Sequence, residues 1–431
     1  MKVLKSSHIS PFGGLNFVIE ELDRLEIGHL LNQQLPQLAN QVKYNWRDLF
    51  YSFWSVFFCG GDCAEDLGNN FKRSLSNNPY LNIPSPDRIL HRMKHLSSPT
   101  IAYNTARGDK EHLFSHNDQL NQLNIKMLKR LFTFKGEGIV LDYDNTMIFT
   151  HKADAITTYK HQRGYVPGVG FIGSLVVYVE NRNGNSDAQT LQQDTLKRMF
   201  DLLKAENIKI KAFRADSASY QLSTLDVISS QVKKFYVRTR MSESLNEAIA
   251  KIDNWEQIPI EGKTVFRGDT YFIPFHRVAK REKKEHLLKT YRLVVTKEKR
   301  RDGQINLFTG EAFDYYGIMT NDEKMSNDQI VDFYNQRGAR EKEFDVLKND
   351  FGWDKLPFSR LDYNAVYLIA TAMCRNLYSH LINFFSKRYK GLSPKFRIKK
   401  FIFRFVCIPA KWIRNSRSWK LRIYGYPSFK T

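Results

Sequence analysis

The spacing of hydrophobic positions changes along the chain, and these changes divide it into regions of different predicted structure. Residues 1–132 carry apolar side chains at helical spacing, for example in 118–132, which predicts a mainly helical N-terminal domain. From 136 to 240, apolar runs that end in turn residues predict strands, separated by helical patterns such as 187–207. We interpret 170–187 as one strand followed by a turn. The resulting order of strand, strand, helix, strand, helix, strand predicts an α/β unit with a mixed sheet.

The second half of the chain interrupts this α/β pattern and then resumes it. Residues 241–321 are highly charged and contain repeated strand patterns, which predicts an inserted β-rich subdomain. Helical spacing returns in 322–390, where the apolar stretch 364–385 predicts a buried helix. We expect this region to form the second part of the core that begins in 136–240.

The C-terminal region, 391–431, has eleven Lys or Arg residues and neither Asp nor Glu. Aromatic residues lie between these cations, and such a mixture is typical of nucleic-acid-binding surfaces. The alternative is a basic hairpin packed on the edge of the core, and both interpretations can hold together.

A short basic helix is predicted within residues 84–97. Ser85 suits the N-cap, Pro86 the first helical position and Asp87 the positive end of the helix dipole. Together with the helical stretch before it, this segment predicts a helix-turn-helix with a recognition helix at 86–96, and therefore DNA binding by the N-terminal domain. An ordinary bundle helix is the alternative, and the sequence does not decide between them.

The composition of the chain indicates what kind of partner it binds. The 431 residues include 66 Lys or Arg and 45 Asp or Glu, which gives a net charge of +21 and favours a polyanionic partner, nucleic acid first. The longest apolar stretch, 49–59, is too short to span a bilayer, and the N-terminus lacks a signal-peptide pattern, so we expect no membrane association. The four cysteines predict neither a disulfide framework nor a zinc site, which favours the cytoplasm.

Three acidic positions lie where a carboxylate site can form. Asp144, or Asp142 two residues before it, ends the first strand of the α/β unit, and Asp216 ends a later strand. Glu341 lies on a predicted helix after the insertion. Strand ends and a facing helix can bring carboxylates together, and carboxylate oxygens suit Mg²⁺ or Mn²⁺. A pair of such ions can support phosphoryl transfer.

The predicted helix around Glu341 also aims other polar groups in one direction. We predict one continuous helix over 334–348. At 100° per residue, a stripe about 60° wide then contains Tyr334, Arg337, Glu341 and Lys348. A solvated face with an Arg337–Glu341 pair is the alternative interpretation of the same spacing.

These residues carry a resemblance to a known family. The spacing Tyr-x₂-Arg-x₃-Glu-x₆-Lys resembles the motif of one branch of the DDE-type insertion-sequence transposases. Further segments match the family's order: "LDYDNT" at 141–146, "RGYVPG" at 163–168, "RNGNSDA" at 182–188, "RADS" at 214–217 and "TND" at 320–322. The resemblance extends over nearly the whole chain.

The resemblance implies an RNase H-like catalytic domain and assigns roles to individual residues. Catalysis and binding of two metal ions, Mg²⁺ with Mn²⁺ as the alternative, are implied for Asp144, Asp216 and Glu341. Arg337 and Lys348 are implied phosphate contacts, and Tyr334 is expected near the transposon end. In relatives the β insertion helps to handle a hairpinned DNA end, and the sequence leaves open whether this chain forms a hairpin.

The function implied is DNA transposition by an endonuclease that also transfers strands. Such an enzyme binds the terminal inverted repeats of a bacterial insertion sequence as double-stranded DNA, cleaves the ends, and joins them to target DNA. We expect a homodimer on DNA, associated with the nucleoid in the cytoplasm. The alternatives are an RNase H-like nuclease without end specificity and a catalytically inactive DNA-binding derivative.

Overall fold

The computed structural model of the chain describes residues 7–104, 111–134, 138–260, 262–300, 302–305 and 310–425. The predicted start of the α/β unit at 136, part of the strand pattern around 306–309, and the last six residues of the basic tail lie outside the described residues.

The described part of the chain contains both helices and strands. The helices are α1 (Leu15–Arg24), α2 (Ile27–Gln34), α3 (Trp46–Phe58), α4 (Lys72–Leu75), α5 (Pro86–Lys94), α6 (Asp118–Leu131), α7 (Gln192–Ala205), α8 (Leu222–Gln231), α9 (Glu243–Ile249), α10 (His276–Glu282), α11 (Asn327–Asn335), α12 (Ala339–Asp350), α13 (Leu361–Ser386) and α14 (Ile398–Phe401). The strands are β1 (Ile101–Asn104), β2 (Glu111–Ser115), β3 (Val140–Asn145), β4 (Ile148–Phe149), β5 (Ile156–Thr157), β6 (Arg163–Tyr165), β7 (Gly168–Ile172), β8 (Leu175–Arg182), β9 (Ala212–Ala215), β10 (Lys234–Arg238), β11 (Glu256–Ile260), β12 (Lys263–Phe272), β13 (Tyr291–Lys299), β14 (Phe313–Thr320), β15 (Ala410–Asn415) and β16 (Ser418–Ile423).

The centre of the fold is a mixed sheet, and its topology confirms the predicted fold class. Strands β8, β7 and β3 form an antiparallel meander, and β9 and β10 then add in parallel to β3, giving the spatial order β8-β7-β3-β9-β10. This is the strand arrangement of an RNase H-like core, and α7 and α8 make the crossovers between its later strands.

The interpretation of 170–187 as one strand was wrong. The apolar run is split into the hairpin β7–β8, and Gly173 lies at the turn between its strands with φ +59°. A left-handed residue without a side chain costs little there. Most side chains on both strands are buried, so the apolar pattern resumes directly after the turn, which only Gly173 and Ser174 mark in the sequence.

The strands of the insertion continue the core sheet. Strand β14 pairs antiparallel with β10, and β13, β12 and β11 follow in order, which makes a sheet of eleven strands within the described residues. The segment 241–321 is therefore rich in strands, and those strands share the hydrogen-bonded ladder of the central sheet.

The helical N-terminal region packs on the long buried helix α13. Trp54 on α3 donates through Nε1 to the Ala370 carbonyl at 2.9 Å, and Glu21 on α1 lies 2.7 Å from His380 Nε2. Helix α5 begins at its predicted cap, where the Ser85 hydroxyl accepts from the Arg88 amide. Residues 76–85 separate α4 from α5, a longer connection than the three- or four-residue turn of a helix-turn-helix.

The basic C-terminal region combines buried and exposed parts. Phe401 and Phe405 lie in the same hydrophobic cluster as α13, whereas Phe403 is 78% exposed. Strands β15 and β16 then form a separate hairpin, joined to the N-terminal segment by an antiparallel bridge between Ser10 and Ala410. No helix in the described ranges combines the length and the apolar character needed to cross a lipid bilayer.

Candidate active site

Register in the central sheet places two of the predicted carboxylates side by side. Strands β3 and β9 are parallel, and Tyr143 is the partner of Ala215. Asp144 follows Tyr143 on β3, and Asp216 follows Ala215, the last residue of β9. The two aspartates therefore lie at the carboxyl ends of neighbouring strands, and neighbouring strands of a sheet are about 4.8 Å apart. The Asp216 Oδ1 atom also accepts from the Ala218 amide at 3.0 Å, which fixes the turn after β9.

Asp142 has a different environment from Asp144, although both lie on β3. It is 1% exposed, and both of its oxygens bind the Arg214 guanidinium, at 2.6 and 2.8 Å. Arg214 also donates to the Phe333 carbonyl of α11 at 2.5 Å. The pair therefore connects β3, β9 and α11 in the interior, and Asp144 is the strand-end carboxylate that faces the cleft.

The prediction of one continuous helix over 334–348 was wrong. Helix α11 ends at Asn335, a 3₁₀ turn covers Gln336–Gly338, and α12 begins at Ala339. The break includes Gly338, whose intrinsic helix propensity is low. Angles calculated across the break do not apply, whereas Glu341 and Lys348 lie two turns apart on α12 and share a face.

An open cleft of about 590 Å³ brings most of the predicted site residues together. Its lining includes these five of them: Asp144, Asp216, Arg337, Glu341 and Lys348. Tyr334 is not among the lining residues. It is 7% exposed and packs in a hydrophobic cluster with Tyr236 and Ile330.

The two cations of the cleft are held by the protein itself. Arg337 Nη2 lies 2.9 Å from Asp144 Oδ2, and both side chains are mostly buried. Lys348 Nζ donates to the Met147 carbonyl at 2.8 Å, which ties α12 to the segment after β3. Burial lowers the pKa of Lys348, and the charges of Asp354 and Asp345 oppose this effect.

The environment of the cleft disfavours the charged form of Asp144. Burial raises the pKa of Asp144 to about 6, and the charges of Asp216 and Glu341 add to the rise, while Arg337 opposes it. A carboxylate whose charge is disfavoured by neighbouring carboxylates is a favourable ligand for a cation. The donor set of the cleft therefore fits a hard divalent ion.

The carboxylates of the cleft are more widely spaced than a compact ligand cage. Within the described residues, Asp62, Cys63 and Asp66 are the only group of three whose ligand atoms lie within 4.8 Å of one another. In that group, Asp62 pairs with Lys355, and Asp66 accepts from the amides of the same loop.

Several residues that line the cleft were missed by the sequence analysis. Asn145 and Thr146 follow Asp144 directly, and Asn349 follows Lys348 on α12. Asp354 reaches the cleft from beyond the end of α12, after the chain turns at Gly352 with φ +71°. Nearness in sequence signals the first three, whereas no helical or strand spacing predicts Asp354.

Two acidic residues near Glu341 point to other partners. Glu343 accepts from Arg375 Nη2 of α13 at 2.9 Å. Asp345 lines the cleft and pairs with Arg397 at 2.6 Å, so helical spacing alone does not separate it from Glu341.

Known transposases are similar to this chain in structure and in sequence. The cryo-EM structure of the piggyBac transposase synaptic complex with hairpin DNA is similar to the chain at 14% identity and a TM-score of 0.42, over 91% of this chain and 77% of that one. No curated protein matches the sequence significantly. A family model described as transposase DDE domain group 1 matches residues 5–429. The chain therefore belongs to this family of DDE transposases.

Proposed function

We propose that this protein is the cut-and-paste transposase of a bacterial insertion sequence. It binds the terminal inverted repeats of the element, cleaves the phosphodiester bond at each end, and transfers the freed 3′-hydroxyl groups to target DNA. The single observation that carries this proposal is the cleft in which Asp144, Asp216 and Glu341 meet Arg337 and Lys348.

Two in-line displacements at phosphorus account for the reaction. In the first, water attacks the phosphodiester at the element's end, which leaves a 3′-hydroxyl on the element and a 5′-phosphate on the flanking DNA. In the second, that 3′-hydroxyl attacks a target phosphodiester, forms a new bond to phosphorus and displaces the 3′-oxygen of the target strand. Both steps need the same arrangement of charges, so one cleft can serve both.

The residues that would hold divalent metal are Asp144, Asp216 and Glu341, and Mg²⁺ or Mn²⁺ suits their oxygen donors. When bound, a pair of such ions supplies electrostatic stabilisation for the attacking and leaving oxygens of a displacement at phosphorus. The raised pKa of Asp144 supports this assignment, because a cation in the cleft relieves the repulsion that causes part of the rise.

Arg337 and Lys348 are proposed to position the DNA backbone in the cleft. The Nε atom of Arg337 is buried and has no hydrogen-bond partner among the described residues, although its Nη2 pairs with Asp144. A planar guanidinium with a donor left over is suited to a phosphate. Arg337 is proposed to exchange its contact with Asp144 for one with the DNA backbone.

The remaining regions are proposed to hold the DNA and the assembly. The helical region 1–132 would recognise the repeats, and the basic region 391–431 would add contacts to phosphates that do not depend on sequence. A homodimer would pair the two element ends, and the substrate places the enzyme with chromosomal DNA in the bacterial cytoplasm. The buried position of Tyr334 supports a role in fixing α11 beneath the DNA rather than direct contact with it.

The test uses purified protein with duplexes that carry the repeats flanking its own gene. Mg²⁺-dependent cleavage confined to the repeat ends, followed by joining to a target plasmid, is the expected result. Cleavage of any duplex favours a general nuclease. Specific binding without cleavage favours an inactive DNA-binding derivative.

A further inference from the structure

A small sheet projects from the strand end that carries Asp144. The chain leaves the central sheet after Asn145 and returns to it at Gly168, and these two residues are paired. Between them, β4, β6 and β5 form a separate three-stranded antiparallel sheet. We call residues 148–165 the cleft-side sheet, because they begin two residues after the cleft-lining Thr146.

The base of the cleft-side sheet is anchored firmly. Ile148 and Tyr165 are buried in the hydrophobic cluster around α13. Asp154 accepts from the Tyr165 hydroxyl and, at 2.6 Å, from the Leu361 amide at the start of α13. The carbonyl of Met147, directly before β4, accepts from the cleft residue Lys348. These contacts hold the sheet in a fixed position beside the candidate active site.

The outer part of the cleft-side sheet exposes aromatic and basic side chains. Tyr159 is 66% exposed at the turn between β5 and β6, and Lys160 and His161 next to it are also exposed. The turn is closed by hydrogen bonds from the Thr158 amide to the Gln162 carbonyl at 2.8 Å and from the His161 amide to the Thr158 carbonyl at 3.0 Å. The exposed groups therefore sit on an ordered turn.

The charge of this surface selects a polyanion as its partner. Asp154 is the only acidic residue in 148–165, and its oxygens are engaged at the anchored base. The cations of the segment are Lys152, Lys160 and Arg163, and Lys160 has no ion-pair partner among the residues that the structure describes. Arg163 donates to backbone carbonyls of the same segment, so Lys160 is the exposed cation beside Tyr159. An exposed tyrosine beside such a lysine is suited to a nucleic-acid backbone and its sugars.

We infer that the cleft-side sheet is a DNA-binding surface that holds the duplex next to the scissile phosphate. Lys160 contacts a backbone phosphate, and Tyr159 packs against the sugar or base beside it. This inference rests on the proposed function, because the cleft defines where the scissile phosphate lies. A protein partner on this surface is the competing occupant, and the charge of the segment disfavours it.

The first experiment measures DNA binding by Lys160→Glu and by Lys209→Glu, which makes the same charge change on an exposed lysine. Lys209 lies before the start of β9, at the opposite edge of the sheet from Asp216. For Lys160→Glu, the slope of log K against log salt concentration is expected to become shallower by about one unit, with the slope of Lys209→Glu unchanged. Equal slopes for the two variants and the unmodified protein would overturn the inference.

The second experiment places the photo-cross-linker p-benzoyl-phenylalanine at position 159 in the full-length chain. Irradiation with a repeat-end duplex is expected to join this position to nucleotides within a few positions of the cleavage site, and the same group at position 209 to give no such product. Cross-linking needs no turnover, so it succeeds even if cleavage is never observed. Normal cleavage without a cross-link at 159 would overturn this inference and leave the proposed function intact.

Discussion

The Arg337 guanidinium lies 2.9 Å from the Asp144 carboxylate, inside the cleft that also holds Asp216 and Glu341. Helical spacing pairs Arg337 with Glu341, whereas the structure pairs it with a carboxylate on the opposite side of the cleft. In the absence of metal, this contact offsets part of the repulsion among the three carboxylates. Arg337 therefore has both a structural partner and a position suited to DNA.

Replacement of Arg337 separates these two roles. Arg337→Ala is expected to reduce end cleavage about 100-fold, because misplacement of a phosphate is costly. It should also lower stability by about 3 kcal/mol, since the mostly buried Asp144 charge loses its partner. Arg337→Lys returns the charge without the planar fork, so stability should recover while cleavage recovers only in part. Thermal unfolding and cleavage assays on the same preparations measure both effects. Normal cleavage by a folded Arg337→Ala protein would make the residue purely structural.

Asp144→Asn is expected to stabilise the metal-free protein at pH 7.5. The pKa of Asp144 is raised to about 6 in the folded state, so the folded state binds this proton more tightly than the unfolded chain. Stability therefore falls as pH rises from about 4 to 6, and the full penalty, up to about 3 kcal/mol, persists above pH 6. Urea unfolding in the presence of EDTA should show a gain for the variant at pH 7.5 and none at pH 4.

The control for this experiment is added Mg²⁺, which should stabilise the unmodified protein at pH 7.5 more than the Asp144→Asn variant. A variant that is less stable than the unmodified protein at pH 7.5 would mean that the ion pair with Arg337 outweighs the cost of burying the carboxylate.

Asp142 is expected to stabilise the fold rather than to bind metal. Asp142→Asn leaves the buried Arg214 without its carboxylate, which should cost about 3–5 kcal/mol. The double variant Asp142→Leu with Arg214→Met removes both charges and should regain most of that loss. Chemical unfolding of the single and double variants measures this. Loss of cleavage by Asp142→Asn with unchanged stability would instead assign Asp142 to the metal site.

The exposed cations of the hairpin β15–β16 are expected to bind DNA without sequence preference. Arg414→Glu with Lys420→Glu should make the slope of log K against log salt shallower by about two units. The same double charge reversal at Lys204 and Lys209 is the matched control, and it should leave the slope unchanged. Deletion of 391–431 does not provide this test, because Phe401 and Phe405 belong to the hydrophobic core. An unchanged slope for the hairpin variant would make the hairpin a packing element.

The spacing of apolar residues and the turn residues at strand ends predicted much of the fold and the site, because both depend only on residues close together in sequence. Strand ends marked Asp144 and Asp216, and α/β alternation placed them at neighbouring carboxyl ends. The sequence did not predict the role of a site residue where that role depends on a partner distant in sequence. Asp142 binds Arg214, 72 residues away, whereas Asp144 pairs with Arg337, and these distant partners distinguish the two aspartates.

The two predictions of secondary structure that were wrong, the single strand and the continuous helix, have a common cause. Continuous patterns hide interruptions of the backbone: the hairpin at Gly173 interrupts an apolar run, and the 3₁₀ turn before Ala339 interrupts a helical one. The continuation of the sheet through β14 was not foreseen either, since strand pairing depends on residues far apart in sequence.

The most direct test of the central claim uses Glu341→Gln, which keeps the size of the side chain and removes its charge. The protein is incubated with a labelled repeat-end duplex and Mg²⁺, and binding and cleavage are measured on the same sample. The account predicts that the variant binds the duplex with near-normal affinity and produces no cleaved ends. Mg²⁺-dependent cleavage by Glu341→Gln at the rate of the unmodified protein would contradict it.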